Sequence, residues 1–316
     1  MPEAPAPPPA ERFTPAPTLT ASQVAARAGL DLDLARRVWR ALGMPEAGDD
    51  EVMFDDRDVQ ALTALRGILE LGVPADELLA IGRLYGQAMS RIADAETRMF
   101  RERLLAPAMA HDGEPVEERL RPVVEALLDI SARLLDQTHR RKLMLALDAL
   151  GAGGSSESLA AGFADLVAFS RISEDLAAEE LGGLVEAFED LAVNVCADAG
   201  ARLVKVIGDG VMFVAVDPAR ALAAATDIVA GASEHPLLPE ARAGLDFGQA
   251  VALGGDYFGR PVNVAARITA YARADTVVLS GEFLEALGDG DLRVSRIGKR
   301  RLKGVGGVSL FKVKEA

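Results

Sequence analysis

The sequence predicts an α+β chain, with an all-α N-terminal domain followed by a ferredoxin-like βαββαβ sheet domain. Three observations carry this. Through the first half, apolar residues recur at three- and four-residue spacing between helix-capping signals. Beyond Glu157 the texture changes to short apolar runs alternating with helical stretches. Between them lies GAGGSSE, Gly151 to Glu157, a Gly/Ser hinge with no apolar period. A chain of 316 residues also exceeds one ordinary domain. The expected boundaries are 1–18, 19–150, 151–157 and 158–316.

Residues 1–18 are rich in Pro and Ala and predict a disordered lead. Thr20 or Ser22 is placed to cap a first helix that stops at Gly29. LDLARRVWRALG predicts a second, ending at Gly43, and FDDRDVQALTALRGILELG a third, capped by Asp55 or Asp56. A long helix begins at Pro74 and is expected to close before Pro107. After HDGEP, Val116 to Leu150 forms another. Its Leu120, Val123, Val124, Leu127, Leu128, Leu134 and Leu135 share one face, which is expected to be buried. Helices this long in a modest domain pack against a second copy, so a homodimer is expected.

In the second half, SLAAGFADLV reads as a strand. A helix follows, capped at Ser173 and ended by Gly200. ARLVKVI and VMFVAV are strands joined by the tight turn GDG. PARALAAATDIVAGAS is the next helix and ARAGLDFGQAVALG the next strand. That order predicts a sheet with its helices on one face. A short helix after Val262 and strands at TVVLS, LRVSRIG and VSLFKV complete the chain.

A formal charge of −14 excludes nonspecific attraction to nucleic acid or anionic lipid. The single cysteine, Cys196, excludes an intrachain disulfide, suits a reducing compartment and is expected to be a small buried side chain. No apolar run approaches the ~20 residues of a membrane span. MPEAPAPPPAERF lacks the apolar core of a signal peptide. A cytoplasmic protein is expected.

Two aspartates stand where apolar strands end or turn, Asp165 in FADLVAFS and Asp209 in KVIGDGVM. Alone, Asp209 reads equally as an Asp-Gly hairpin turn and Asp165 as a cap. In a β-α-β-β unit, however, the end of the first strand lies beside the following hairpin, which brings the two carboxylates into one shell. Hard oxygen ligands without His or Cys favour Mg²⁺ or Mn²⁺.

From about Leu159 to the C-terminus the chain resembles the class III nucleotidyl cyclases. FADLVAFS and KVIGDGVM match the two metal-aspartate segments, and GGDYFGRPVNVAARI, Gly254 to Ile268, matches a third motif. The resemblance implies that Asp165 and Asp209 bind two Mg²⁺ or Mn²⁺ ions. Lys205 and Asp256 select the base, Asn263 orients the ribose and Arg267 stabilises the transition state. It also implies a head-to-tail homodimer with two interfacial sites. Lys303, in RRLKGVGG, resembles a basic residue that binds the polyphosphate, and reads equally as part of a solvated basic run. Adenine offers a donor at N6 and an acceptor at N1, matching Asp256 and Lys205, so ATP is expected over GTP. GGDYF at 254–258 also resembles the GGDEF signature of diguanylate cyclases. That motif belongs on the hairpin that IGDGV already occupies, and Tyr257 stands at its Glu position.

The segment from Leu19 to Leu65 resembles both a MerR-like winged helix and the regulatory half of soluble actinobacterial adenylate cyclases that respond to pH. Its excess of acids, including Asp49, Asp50, Glu51, Asp55, Asp56 and Asp58, would repel a phosphate backbone and favours the regulatory reading. His139 and His111 are the candidate groups for a pH switch, since imidazole changes charge in the physiological range. A fatty-acid-like effector is a further implication of the resemblance. The alternatives to an autoregulated adenylate cyclase are a catalytically silent signalling module and a DNA-binding regulator carrying a nucleotide sensor.

Overall fold

The computed structural model describes residues 16–48, 50–109, 116–150, 156–288 and 292–314. The chain divides into two compact units, Met1–Gly151 and Ala152–Ala316. Most of the expected lead, His111 and Gly151–Ser155 of the hinge lie outside the described residues. Among the described residues no helix is long and apolar enough to cross a membrane.

In the first unit, α1 (Ala21–Ala28) opens on Thr20. Its hydroxyl accepts from the Gln23 N–H while Gln23 Oε1 accepts from the Thr20 N–H (2.9 Å). Gly29, at φ 69°, closes the helix in the left-handed conformation. Asp31 caps α2 (Leu32–Ala41) and Asp55 caps α3 (Asp56–Glu70). Val24, Ala35, Val38, Leu62 and Leu79 form the core, in which Trp39 stacks on Phe54 with ring centroids 4.3 Å apart.

The half is helical, as expected, but the structure adds details that the sequence does not foretell. β1 (Leu19–Thr20) pairs antiparallel with β2 (Val52–Phe54) in one small ribbon. Strands of two and three residues are too short to show an alternation. The long helix does not close before Pro107. α4 (Ala75–Phe100) passes through a five-residue π turn (Arg101–Leu105) into α5 (Ala106–Met109). There the Ala106 N–H bonds the Arg101 carbonyl, one residue farther back than in an α-helix. The widened turn receives a proline that has no N–H to give. Finally, α6 (Val116–Leu150) has its apolar face only partly covered by the described residues. Leu120 is buried, but Val123, Leu128 and Leu134 are exposed, as are Ile130, Met144 and Leu147.

The second unit is built on β3 (Ser156–Leu166), α7 (Phe169–Asp175), α8 (Ala178–Ala199), β4 (Arg202–Ile207), β5 (Gly210–Ala215), α9 (Pro218–Glu234) and β6 (Ala241–Leu253). Their strands lie antiparallel in the order β4-β5-β3-β6, the βαββαβ arrangement. β7 (Asp256–Phe258) folds back on β6, and α10 (Arg260–Tyr271) follows it. β8 (Thr276–Ser280) runs parallel to β6. After α11 (Gly281–Leu287), β9 (Val294–Leu302) and β10 (Gly306–Val313) extend the sheet beyond β8. Ser173 is not a cap but lies inside α7. The chain is extended at Leu176, and α8 starts at Ala178, with Glu180 accepting the Ala177 N–H at 3.0 Å.

Strand alternation sends two sets of side chains to opposite faces. Ala160, Ala164, Val211, Phe213 and Leu245 pack against Phe188 and Cys196 of α8 and Ile228 of α9. Burial there pushes the Cys196 thiol up to about 11. Leu159, Ala161, Met212 and Val214 face the other way, onto Ala265 of α10. The expected single helical face therefore holds for α8 and α9, while α10 covers the opposite side. Gly244 permits this close approach, since a Cβ there would lie 2.4 Å from Thr269 N and 2.8 Å from the Ala265 carbonyl. The Thr269 hydroxyl lies 3.2 Å from the Phe163 carbonyl.

Candidate active site

Asp165 is the penultimate residue of β3, and Asp209 belongs to the two-residue loop between β4 and β5. Gly208, at φ 61°, supplies the positive φ that this tight loop needs. The β3–β5 ladder sets Asp165 opposite Gly210, and the Leu166 N–H bonds the Asp209 carbonyl at 3.0 Å. Two carboxylates thus meet at neighbouring strand ends. Asp165 has the strand parity of Leu159, Ala161 and Phe163, so it shares the sheet face with α10.

Sequence reasoning missed the partner of Asp165. Arg242, on β6, forks onto its carboxylate, with Nε 2.6 Å from Oδ1 and Nη2 3.2 Å from Oδ2. Its Nη1 donates to the Ala272 carbonyl at 3.1 Å, past the end of α10. The available signal was a cation near the start of a largely apolar strand, two residues before a glycine. Burial pushes the Asp165 carboxyl up; the hydrogen bond and charge of Arg242 oppose this, and the negative charge of Asp209 adds to it.

That mutual repulsion is what a divalent cation would relieve, and two hard carboxylates fit Mg²⁺ or Mn²⁺. Among the described residues no third His, Cys or acid joins them. Water, backbone carbonyls or substrate phosphates would complete the shell, the way Mg²⁺ is commonly held.

A second cluster forms where β7 reaches β4. Lys205 Nζ donates to Asp256 Oδ2 across 51 positions of sequence, and the Tyr257 N–H donates to Oδ1 at 2.8 Å. Burial pushes the Asp256 carboxyl up, but the Lys205 hydrogen bond and charge, with the Tyr257 N–H, outweigh it and hold the group below the usual range. Arg202 borders the cluster, its guanidinium 5.6 Å from the Tyr257 ring centroid.

Asn263 and Arg267 lie four apart on α10, both exposed, with Val264 and Ile268 beside them buried in the core. Among the described residues neither side chain has a hydrogen-bond partner. Lys303 is exposed between β9 and β10. The structure therefore joins Asp165 to Asp209 and Lys205 to Asp256, and sets Asn263 and Arg267 on one open helix face. No described contact connects these groups to one another or to Lys303.

A family profile described as adenylate cyclase regulatory domain matches residues 15–137. An adenylate cyclase of Streptomyces coelicolor is 36% identical over 274 residues, covering 85% of this chain and 71% of that protein. A pH-sensitive adenylate cyclase of Mycobacterium tuberculosis is 31% identical over 315 residues, 94% of this chain and 78% of that one. The crystal structure of the adenylyl cyclase CyaB from P. aeruginosa aligns with 51% of this chain and 95% of that chain, at 21% identity and a TM-score of 0.45. With an adenylate cyclase matched at 36% identity over most of both chains, and a regulatory-domain match ahead of the sheet unit, this chain belongs to the class III adenylate cyclases.

Proposed function

We propose that the sheet unit converts ATP to 3′,5′-cyclic AMP and pyrophosphate by in-line attack of the ribose 3′-oxygen on the α-phosphorus, and that the helical unit regulates it. The choice of ATP rests on the Lys205–Asp256 pair. An ammonium beside a carboxylate matches the adjacent N1 acceptor and N6 donor of adenine, whereas guanine presents the reverse and leaves both unpaired. Asp165 and Asp209 would hold two Mg²⁺ or Mn²⁺ ions. When bound, such ions stabilise charge on the attacking and leaving oxygens. Before that, Arg242 neutralises Asp165. Asn263 orients the ribose, and Arg267 places a fixed positive charge beside the phosphorane. Lys303 reaches the polyphosphate.

The working form is a homodimer in which Asp165 and Asp209 of one protomer meet Lys205, Asp256, Asn263 and Arg267 of the other. Two observations support this reading. Asn263 and Arg267 face outward with no partner of their own among the described residues. α4 and α6 also leave Ile81, Leu84, Met89, Val123, Leu128, Ile130, Leu134 and Met144 exposed, more apolar side chains than a solvated helix pair carries. The protein would act in the cytoplasm, with no nucleic-acid partner. A pH-type effector would act on His139, whose Nε2 lies 3.2 Å from the Tyr85 hydroxyl between α6 and α4. A fatty-acid-like effector would act on the same unit.

The test is complementation. Asp209→Asn and Arg267→Ala are each expected to abolish cyclic AMP formation from ATP with Mg²⁺ or Mn²⁺. Mixed in equal amounts and allowed to exchange, they form half heterodimers with one intact site each, restoring about a quarter of parent activity by two-fold symmetry. A mixture as inactive as its components refutes the shared site. Cyclic GMP as the main product refutes the base assignment. Histidine 139 is tested by the pH profile of His139→Ala, an unchanged profile removing it.

A further inference from the structure

Asp246 is fully buried on β6, and the cyclisation as described gives it no task. It lies opposite Ala161 in the β3–β6 register, on the side of the sheet that α10 covers. Its Oδ1 accepts a hydrogen bond from the Ser280 hydroxyl, whose oxygen in turn accepts the Phe283 N–H (2.9 Å) at the start of α11. Oδ2 is buried too, and among the described residues it has no hydrogen-bond partner. From α10, Arg260 brings Nη1 to 3.8 Å of Oδ2. From α11, Glu282 holds the same guanidinium through Nη2 at 3.3 Å. β8 and β3 contribute the neutral Ser280 and Ala161.

Half of the acceptor capacity of this carboxyl is unspent, and burial makes that costly in either protonation state. Among the described residues a proton on Oδ2 finds no acceptor, and a charge there finds a single cation, about 1 Å farther off than in a charged hydrogen bond. That cation is the first residue of α10, three before Asn263 and seven before Arg267 on the same rigid helix.

We propose that Asp246 is a positioning residue for the cyclisation: its ionised carboxylate draws in Arg260 and seats the first turn of α10, and with it Asn263 and Arg267, while protonation releases that turn. The proposal rests on the roles given above to Asn263 and Arg267. Burial pushes the Asp246 carboxyl up to about 6, against the Ser280 hydrogen bond; Glu282 adds to the rise, and the Phe247 N–H and Arg260 oppose it. As pH falls through that value the carboxyl is protonated, and turnover falls with it.

The test uses the full chain as parent, Asp246→Asn, Arg260→Ala and Arg260→Lys. Two readouts are taken between pH 5 and 8. One is kcat and KM for ATP; the other is the carboxyl resonance of Asp246 in protein labelled with ¹³C-aspartate, which needs no turnover. The parent is expected to lose kcat on the acid side with a midpoint near 6. Asp246→Asn should be low and flat over that limb, its kcat at pH 8 about tenfold down and its KM within about twofold, as for a displacement of order 1 Å. Arg260→Ala should share the low kcat, Arg260→Lys should recover part of it, and the Asp246 midpoint should rise in Arg260→Ala. An acid limb that survives in Asp246→Asn, or a midpoint that Arg260→Ala leaves in place, overturns the proposal. Should Asp246→Asn fail to fold, the exposed Arg260 variants and the resonance decide alone. A parent that makes no cyclic AMP strikes the proposed function instead, and the resonance still decides whether Asp246 and Arg260 are coupled.

Discussion

Replacing Gly244 by alanine adds one methyl group at the crossing of β6 and α10. An alanine Cβ would lie 2.4 Å from Thr269 N, 2.7 Å from its hydroxyl oxygen and 2.8 Å from the Ala265 carbonyl. Two of these are backbone atoms of α10, so no side-chain rotation relieves the clash. Restoring ordinary contacts of about 3.5 Å requires the helix to retreat by roughly 1 Å. Overpacking of this kind costs about 1–3 kcal/mol. For a unit of this size that lowers the melting temperature by about 2–12 °C. Turnover should suffer more, because α10 carries Asn263 and Arg267, and a misplacement of about 1 Å costs as much as 10²-fold in rate. Calorimetry and steady-state kinetics on Gly244→Ala are expected to show a lower melting temperature and a kcat reduced at least ~10-fold, with KM for ATP changed less. Parent-like kcat in a variant that melts early would show that the seating of α10 does not govern turnover. An unchanged melting temperature would deny the close approach itself.

Asp246 also makes folding pH-dependent. Its native pKa, raised from 3.8 to about 6, means the folded state holds the proton more tightly. Its contribution is therefore full below pH 3.8 and is lost as pH rises to about 6, by about 3 kcal/mol. In denaturant titrations the stability of the parent relative to Asp246→Asn should fall by most of that amount between pH 4 and pH 7, and a pH-independent difference would contradict it. Lys205→Met removes the cation beside Asp256, and the ratio of kcat/KM for ATP over GTP should fall about 10- to 100-fold as a charged hydrogen bond is lost. Competition assays with both nucleotides measure it. Trp39→Ala empties the stack on Phe54 and should destabilise the first unit by about 3–5 kcal/mol, read as its own calorimetric transition.

Features that depend on near neighbours in sequence were legible. Thr20, Asp55, Gly29 and Gly200 act as the caps and stops their types predict, and IGDGV makes the hairpin loop. The βαββαβ order followed from alternating textures alone. What escaped depends on contacts across the chain. The period of α6 tells which residues share a face but not what covers it. Pro107 reads as a stop because the π turn that admits it has no sequence period. Arg242 and Asp246 stand in a strand where periodicity treats them as interruptions. Only the register with β3, and the place of α10 above Gly244, reveals that one grips Asp165 and the other lies beneath Arg260.

The chain contains one tryptophan and one cysteine, and the fold puts them in different units: Trp39 in the aromatic stack of the first, Cys196 in the α8 face of the second. Each is therefore a built-in gauge. Indole emission follows the melting of the helical unit, while the rate at which a thiol reagent reaches the shielded sulfur follows the opening of the sheet unit. One unlabelled sample, titrated with an effector, would thus show which unit loosens first.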